Sequence, residues 1–262
     1  MSDLERIERD AYASLYAAAP AALRARGIAV AEIAGAACLR LPGVSTTMLN
    51  RVSGLGVERR ASDDDLDAID EFFGATRYAV ALAPCAQPPD LDGRLRGRGF
   101  APAYAWMKFR RDAAPAPAVE TDLRVMEIDE DGAAHFAHVA TAAYGLPDWF
   151  ADLWPGVVGR RGWHCFVAYD GDEPAAAGAL YVSGRTGWFG VAGTRQEFRR
   201  RGGQGAIMAA RIAKARELGL ELLVTETGER VPERPSNSYR NILRFGFGEA
   251  YLRPNYERSA ND

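Results

Sequence analysis

Lysine is almost missing from this chain: of its 32 basic residues only Lys108 and Lys214 are lysine, and the rest are arginine. Alanine is abundant, so this is a compositional habit. The arginine count alone is therefore no argument for phosphate recognition, whereas a cluster of arginines would be one. Cysteine is scarce too. Cys38, Cys85 and Cys165 form an odd, widely spaced set beside apolar residues, which argues against a disulfide framework and suits reduced thiols in a cytoplasm. No run approaches the roughly 18 apolar residues of a membrane helix. The longest candidate, Ala11–Leu23, is interrupted by Pro20, and the MSDLERIERD before it mixes acids with bases, unlike a secretory signal. A net charge of −3 gives no global attraction to nucleic acid or anionic membrane. What remains is an ordinary globular composition over 262 residues, 48% hydrophobic and 26% charged. That length allows one large domain or two small ones.

The one break in composition is DAAPAPAVETD at 112–122, whose alternating Ala and Pro favour an extended connector. It sets the expected domains at 1–112 and 123–262, joined by a linker over 113–122. Beyond it the pattern predicts strand 123–128, helix 130–144, a Trp-rich stretch, and strands 163–169, 175–182 and 187–192. Gly171-Asp172 and Ser183-Gly184 turn the chain between those strands. A helix over 203–218, strand 221–226, helix 236–245 and strand 247–252 complete the half. The first half ends in a parallel order: strand 47–52, a helix capped by Ser62, strand 77–83, a short helix closing in RGRGF, and strand 104–109.

TRQEFRRRGGQGAIM, Thr194 to Met208, carries the chemistry. A strand enters a turn bearing Arg199, Arg200 and Arg201, followed by Gly202, Gly203, Gln204, Gly205 and Ala206 at a helix start. The first amides of a helix lack acceptors and carry the positive end of its dipole. Glycines let a diphosphate approach those amides, and arginines add charge and paired donors. A nucleoside-triphosphate loop would need Lys-Ser/Thr where Ala206-Ile207 stand, and the spacing is not that of a dinucleotide fold.

The segment resembles the acetyl-CoA-binding motif of the GNAT superfamily of N-acetyltransferases, R/Q-x-x-G-x-G/A. Arg199 takes the first position and Gly202 the first glycine; Gln204 then departs from the second Gly/Ala, while a shift of one gives Arg200, Gly203 and Gly205. The order of elements after the linker is the family's order. The resemblance implies a two-domain α/β (α+β) protein, each domain a mixed, mostly antiparallel central sheet flanked by helices. It implies acetyl-CoA as acyl donor, no metal, and direct attack by an amine of a small molecule or a peptide N-terminus. Ala192, Gly193 and Thr194 would supply an amide that polarises the thioester carbonyl, and Asn241 a further cofactor contact. The family's tyrosine position holds Ile242, so Tyr239, one turn earlier, is the candidate acid, and Glu226 is the candidate base.

The first half resembles the same fold more weakly. Its turn, GLGVERRASDDDLD, sets Asp63, Asp64 and Asp65 where a diphosphate would lie, so no acetyl-CoA is expected there. Two rival readings are a CoA-binding sensor without turnover and a transferase of longer acyl groups. His135 and His138 stand three apart on one helix with no third metal ligand evident.

Overall fold

The computed structural model describes residues 2–44, 46–231 and 236–258. The chain divides into two compact units: Met1–Lys108, Thr227–Val231 and Ala250–Asp262 form one, Phe109–Glu226 and Pro232–Glu249 the other. The Ala/Pro stretch is free of helix and strand, as its prolines dictate, but it lies inside the second unit. Arg111 Nε donates to Asp112 O at 2.8 Å at one end, and Thr121 Oγ1 to Arg201 O at 2.7 Å at the other. A connector held at both ends belongs to the body it lines.

The first unit runs α1 (Ser2–Ala17), α2 (Ala21–Ala25), β1 (Ala29–Ile33), β2 (Ala36–Arg40), β3 (Arg51–Ser53), α3 (Asp63–Phe73), β4 (Ala79–Ala81), α4 (Leu91–Gly97) and β5 (Phe100–Arg111), whose end passes into the second unit. The second runs β6 (Arg124–Ile128), α5 (Ala133–Tyr144), a 3₁₀ segment Asp148–Val157, β7 (Trp163–Asp170), β8 (Glu173–Ser183), β9 (Thr186–Thr194), α6 (Gly203–Glu217), β10 (Leu222–Gly228) as far as Glu226, α7 (Asn237–Arg244) and the start of β11 (Gly248–Arg258). It is a mixed α/β structure with mostly antiparallel pairing. β6, β7, β8 and β9 are antiparallel neighbours, and β10 runs parallel to β9.

In the second unit β7, β8 and β9 read as near-continuous buried runs because helices cover both of their faces. Gly178 faces α6, since a Cβ there would lie 2.6 Å from Ile207 Cγ2. Gly193 pairs with Ala177, on the other face, and a Cβ on it would meet Ala143 of α5 at 2.2 Å. The alanine run in β8, Glu173-Pro-Ala-Ala-Ala-Gly-Ala, is what lets two helices approach so closely.

In the first unit β1 and β2 form a hairpin through Ala34-Gly35, both at positive φ (56° and 74°), as a tight two-residue turn demands. β3 pairs parallel with β4, and the end of β11 pairs antiparallel with β4 through Asn255↔Ala81 to Glu257↔Ala79. The sequence pattern ends the last strand at Leu252, before Pro254. The strand continues to Arg258, and Pro254 contributes its carbonyl, accepting from Leu82 N–H at 3.0 Å. The pattern also predicts nothing for α1, and the reason is chemical. Its inward face carries Glu5 and Glu8, 1% and 0% exposed. Glu8 receives Arg51 (2.7 Å), Lys108 (2.6 Å) and Arg253 (2.9 Å), all fully buried, while Glu5 receives Arg253 (2.8 Å) and the Tyr251 hydroxyl.

Burial pushes the Glu8 pKa up, but Arg253, Lys108 and Arg51 outweigh it and hold the carboxyl well below the ordinary carboxylate range. An unfolded glutamate titrates near about 4.3. Glu8 therefore contributes fully above that pH, and its contribution is lost as pH falls toward the folded value. Glu8→Gln should lower unfolding free energy at pH 7 by about 3–5 kcal/mol, the cost of breaking a buried ion pair. It should also flatten the fall of Tm below about pH 4. Calorimetric melts across pH check both; superimposable acid limbs would show the cluster is not the acid-labile element.

Candidate active site

The start of α6 is open. Gly202, at φ 80°, is its left-handed N-cap, with no side chain bonded across the first turn, and the first intrahelical bond is Ala206 N–H to Gly202 O at 2.9 Å. The amides of Gly203, Gln204 and Gly205 thus precede the ladder. Gly202 cannot be replaced cheaply: a Cβ there would sit 2.4 Å from Glu120 O. Around this turn lies a cleft of about 830 Å³ lined by the start of α6, the end of β9, Tyr144 at the end of α5, and α7. Four arginines line it (Arg199, Arg200, Arg240 and Arg244), and among the described residues no carboxylate does, Glu226 included. Among the described residues Arg199 and Arg200 make no ion pair. Helix dipole, free amides and unneutralised guanidinium groups all favour a multiply charged anion such as a diphosphate.

The far end of the cleft is shaped by two irregularities. β8 and β9 pair as Ala179↔Gly190 and again as Ala177↔Gly193, so Gly178 alone opposes Val191 and Ala192. This is a β-bulge. Val191 sits at φ 47°, a left-handed conformation that costs a β-branched residue on the order of 1–3 kcal/mol. β9 and β10 pair only through Trp188↔Val224, and past that rung Thr225 Oγ1 reaches across to Phe189 O at 2.8 Å. Ala192, Gly193 and Thr194 therefore end on a free strand edge in the cleft. The Ala192 amide bonds to the Tyr144 hydroxyl, whose pKa burial raises although the residue as a whole is 39% exposed. Glu226 acts on the same hydroxyl electrostatically, and its carboxylate accepts Trp188 Nε1–H at 3.0 and 3.1 Å.

Comparison with known proteins fits this geometry. Residues 133–228, from the start of α5 to the end of β10, match the family model described as an acetyltransferase (GNAT) domain. The chain carries a GNAT acyltransferase domain. No curated protein matches the chain. Among solved structures it is similar in fold to a GCN5-related N-acetyltransferase from Kribbella flavida: TM-score 0.64 at 16% identity, covering 95% of this chain and 96% of that one. It is similar also to one from Sphaerobacter thermophilus: TM-score 0.60, 14% identity, 92% and 86% covered. A third is a tandem GNAT protein from the clavulanic acid biosynthesis pathway: TM-score 0.59, 16% identity, 87% and 79% covered.

The structure brings Ala192, Gly193, Thr194, Arg199, Arg200, Gly202, Gly203, Gln204, Gly205 and Asn241 to one cleft. Gln204, which departs from the motif, spans to α7: its Nε2 donates to Ser238 Oγ at 3.3 Å and its Oε1 accepts from Asn241 Nδ2 at 2.6 Å. Arg201 does not line the cleft. Its guanidinium bridges Asp122 and Asp170, which raise its pKa. Ala206 is buried and faces the linker residues 115–119. Tyr239 also turns away. It is 4% exposed, packs edge-on to Phe109 and donates to Glu249 Oε1 at 2.6 Å. The helical spacing between Tyr239 and Ile242 holds, since both are buried, but the face they share is the inward one. Sequence reasoning missed Tyr144, Phe198, Arg240 and Arg244. Only the arginines left a signal, two more basic residues on the helix that carries Asn241.

Trp154 is 3% exposed and donates to Thr141 Oγ1 at 3.1 Å, so it packs the core under α5, and His135 meets the Tyr169 hydroxyl at 3.0 Å. Among the described residues no cluster of three metal-ligating side chains occurs.

Inorganic pyrophosphate probes the cradle directly. Replacing Arg199 and Arg200 together by alanine should weaken its binding about tenfold or more. Arg201→Ala should leave the affinity within about threefold. Equal losses in a titration of the two variants would show that Arg201 reaches the anion after all.

Proposed function

We propose that the GNAT domain transfers an acetyl group from acetyl-CoA to an amine, on a small molecule or a peptide N-terminus, by direct attack. The observation that carries this reading is the open, arginine-rimmed first turn of α6 at the mouth of a cleft that runs to the bulged edge of β9. The amides of Gly203–Gly205 with Arg199 and Arg200 hold the diphosphate. The gap between β9 and β10 admits the pantetheine arm, and Asn241 and Gln204 close its α7 side. The Ala192 amide polarises the thioester carbonyl once Tyr144 yields its place there. Glu226, steadied by the Trp188 indole, takes the amine proton as the C–N bond forms and the C–S bond breaks. Because the Tyr239 hydroxyl is engaged with Glu249 away from the cleft, the departing thiolate takes its proton from water in this scheme.

The first half of the chain is read as a second, degenerate GNAT copy, its ancestral boundary at the 113–122 linker. What supports this is how α3 begins. Ser62 and Asp65 close a capping box over the first turn, Arg59 holds Asp65 at 2.7 Å, and that contact above all lowers the Asp65 pKa to about 2. The loop before it is tied to Gln87 by Gln87 N–H to Gly56 O (2.8 Å) and Ala61 N–H to Gln87 O (2.9 Å). The amides of Ala61, Ser62 and Asp65 around that turn already have acceptors.

Calorimetric titration of acetyl-CoA should give one site per chain. Two sites would mean that the α3 turn opens. Glu226→Gln should keep that affinity and slow acceptor-dependent thiol release by about 10²–10³-fold. Intact binding with no thiol release across a panel of amines would replace the enzyme by a sensor. Tighter binding of longer acyl-CoAs would change the donor.

A further inference from the structure

Arg211 is buried to 1% exposure at the third turn of α6, directly behind the bulge. Its Nη1 donates to Ala179 O at 3.1 Å and to Gly190 O at 3.4 Å, the two carbonyls of the last regular rung before the chain swells into Val191–Ala192. Its Nε donates to Ile207 O at 3.3 Å, and its guanidinium lies 4.8 Å from the centre of the Phe189 ring. Among the described residues no carboxylate pairs with it. Gly178, the residue opposite the bulge, is what seats it: a Cβ there would press on Arg211 Cζ at 3.2 Å. Burial lowers its pKa to about 9, which still leaves it charged at neutral pH. Its field reaches the cleft, where it favours the ionised form of Tyr144 against the larger effect of burial. A buried cation without an acid is unfavourable, and an aliphatic side chain would fill the same space at less cost. The surroundings are nevertheless built for it.

We propose that Arg211 is a positioning residue of the acyl site: it clamps the Gly190–Val191–Ala192 bulge and sets a fixed positive charge behind the amide that faces the thioester carbonyl. This rests on the acetyl-CoA reading above. One helix then does two things, holding the diphosphate at its first turn and the polarising strand at its third. Preorganised charge behind an oxyanion donor acts on the reacting state more than on ground-state binding.

The test uses the full chain, with acetyl-CoA labelled by ¹³C at the thioester carbonyl. In wild type the bound carbonyl stretch should move to lower wavenumber than in free acetyl-CoA. In Arg211→Met it should return toward the free value, with kcat down about 10²-fold and the calorimetric Kd for acetyl-CoA within about threefold. Arg211→Lys, which keeps charge and loses the fork, should recover kcat to within about tenfold of wild type. Should the Met variant fail to fold, Arg211→Gln, which keeps a donor for the strand carbonyls and loses the charge, should show the same split between kcat and Kd. A bound carbonyl already unshifted in wild type, a Met variant with wild-type kcat, or parallel loss of kcat and affinity would each overturn the assignment alone. Failure of wild type to bind acetyl-CoA would overturn the acetyl-CoA reading and this one with it.

Discussion

A helix cannot satisfy its own first amides, and the way a protein disposes of them decides what the helix can do. In α6 they line the cleft without a side-chain cap, on a turn stripped of Cβ atoms at Gly202, Gly203 and Gly205 and flanked by arginines. Everything else at the site is arranged around that choice. Gly202 takes a left-handed conformation so that the chain can enter the helix without a side-chain cap. Gln204, which could have folded back onto the turn, is drawn off to Ser238 and Asn241. Acidic groups nearby are engaged elsewhere: Asp122 and Asp170 hold Arg201, while Glu173 and Glu197 hold Arg195. The cleft stays positive because its neighbouring negative charge is already paired.

The same helix is anchored by smallness. Gly178 and the alanines of β8 let α6 lie close on the sheet, and Gly193 does the same for α5 on the opposite face. Close approach is what puts Arg211 within reach of strand carbonyls and Tyr144 within reach of the Ala192 amide. An alanine-rich composition that reads as a bias of the whole chain therefore has a local consequence here. A larger residue at Gly178 or Gly193 would move a helix, and with it one wall of the cleft.

How much of this was legible beforehand follows from how local each feature is. The cradle lies within a dozen consecutive residues, and its glycines and arginines state its chemistry without reference to the rest of the chain. The order of elements after the linker is equally local, since each strand and helix carries its own period. Tyr144 and Arg244 are not legible in that way, because they reach the cleft through the packing of α5 and α7. Tyr239 shows the complementary limit: spacing places it correctly one turn from Ile242, but spacing is silent on whether that face looks outward. Helix α1 was hidden because its buried face contains two glutamates, and a rule that equates charge with exposure passes over it. The Ala/Pro stretch has the extended backbone its prolines require and lines the second unit, since an extended segment can be a wall as well as a tether.

The two helix starts, α6 and α3, are alternative answers to one electrostatic problem. At α3 the dipole and amides meet Ser62, Asp65 and an aspartate-rich first turn, whose charges are held in turn by Arg59, Arg94 and Arg98. Such a turn carries its own cap and its own negative charge, both of which disfavour an anion. At α6 the turn is incomplete, and the stabilisation that a capping box would have provided is available to whatever anion arrives. The cost of leaving α6 open has to be met by the rest of its unit, which explains why the helix is otherwise so firmly held, with Ile207 and Ile212 fully buried and Arg211 fixed to the sheet. Binding capacity at one end of a helix is sustained by rigidity along its remaining length, and the first unit, with its helix start capped, has no such requirement.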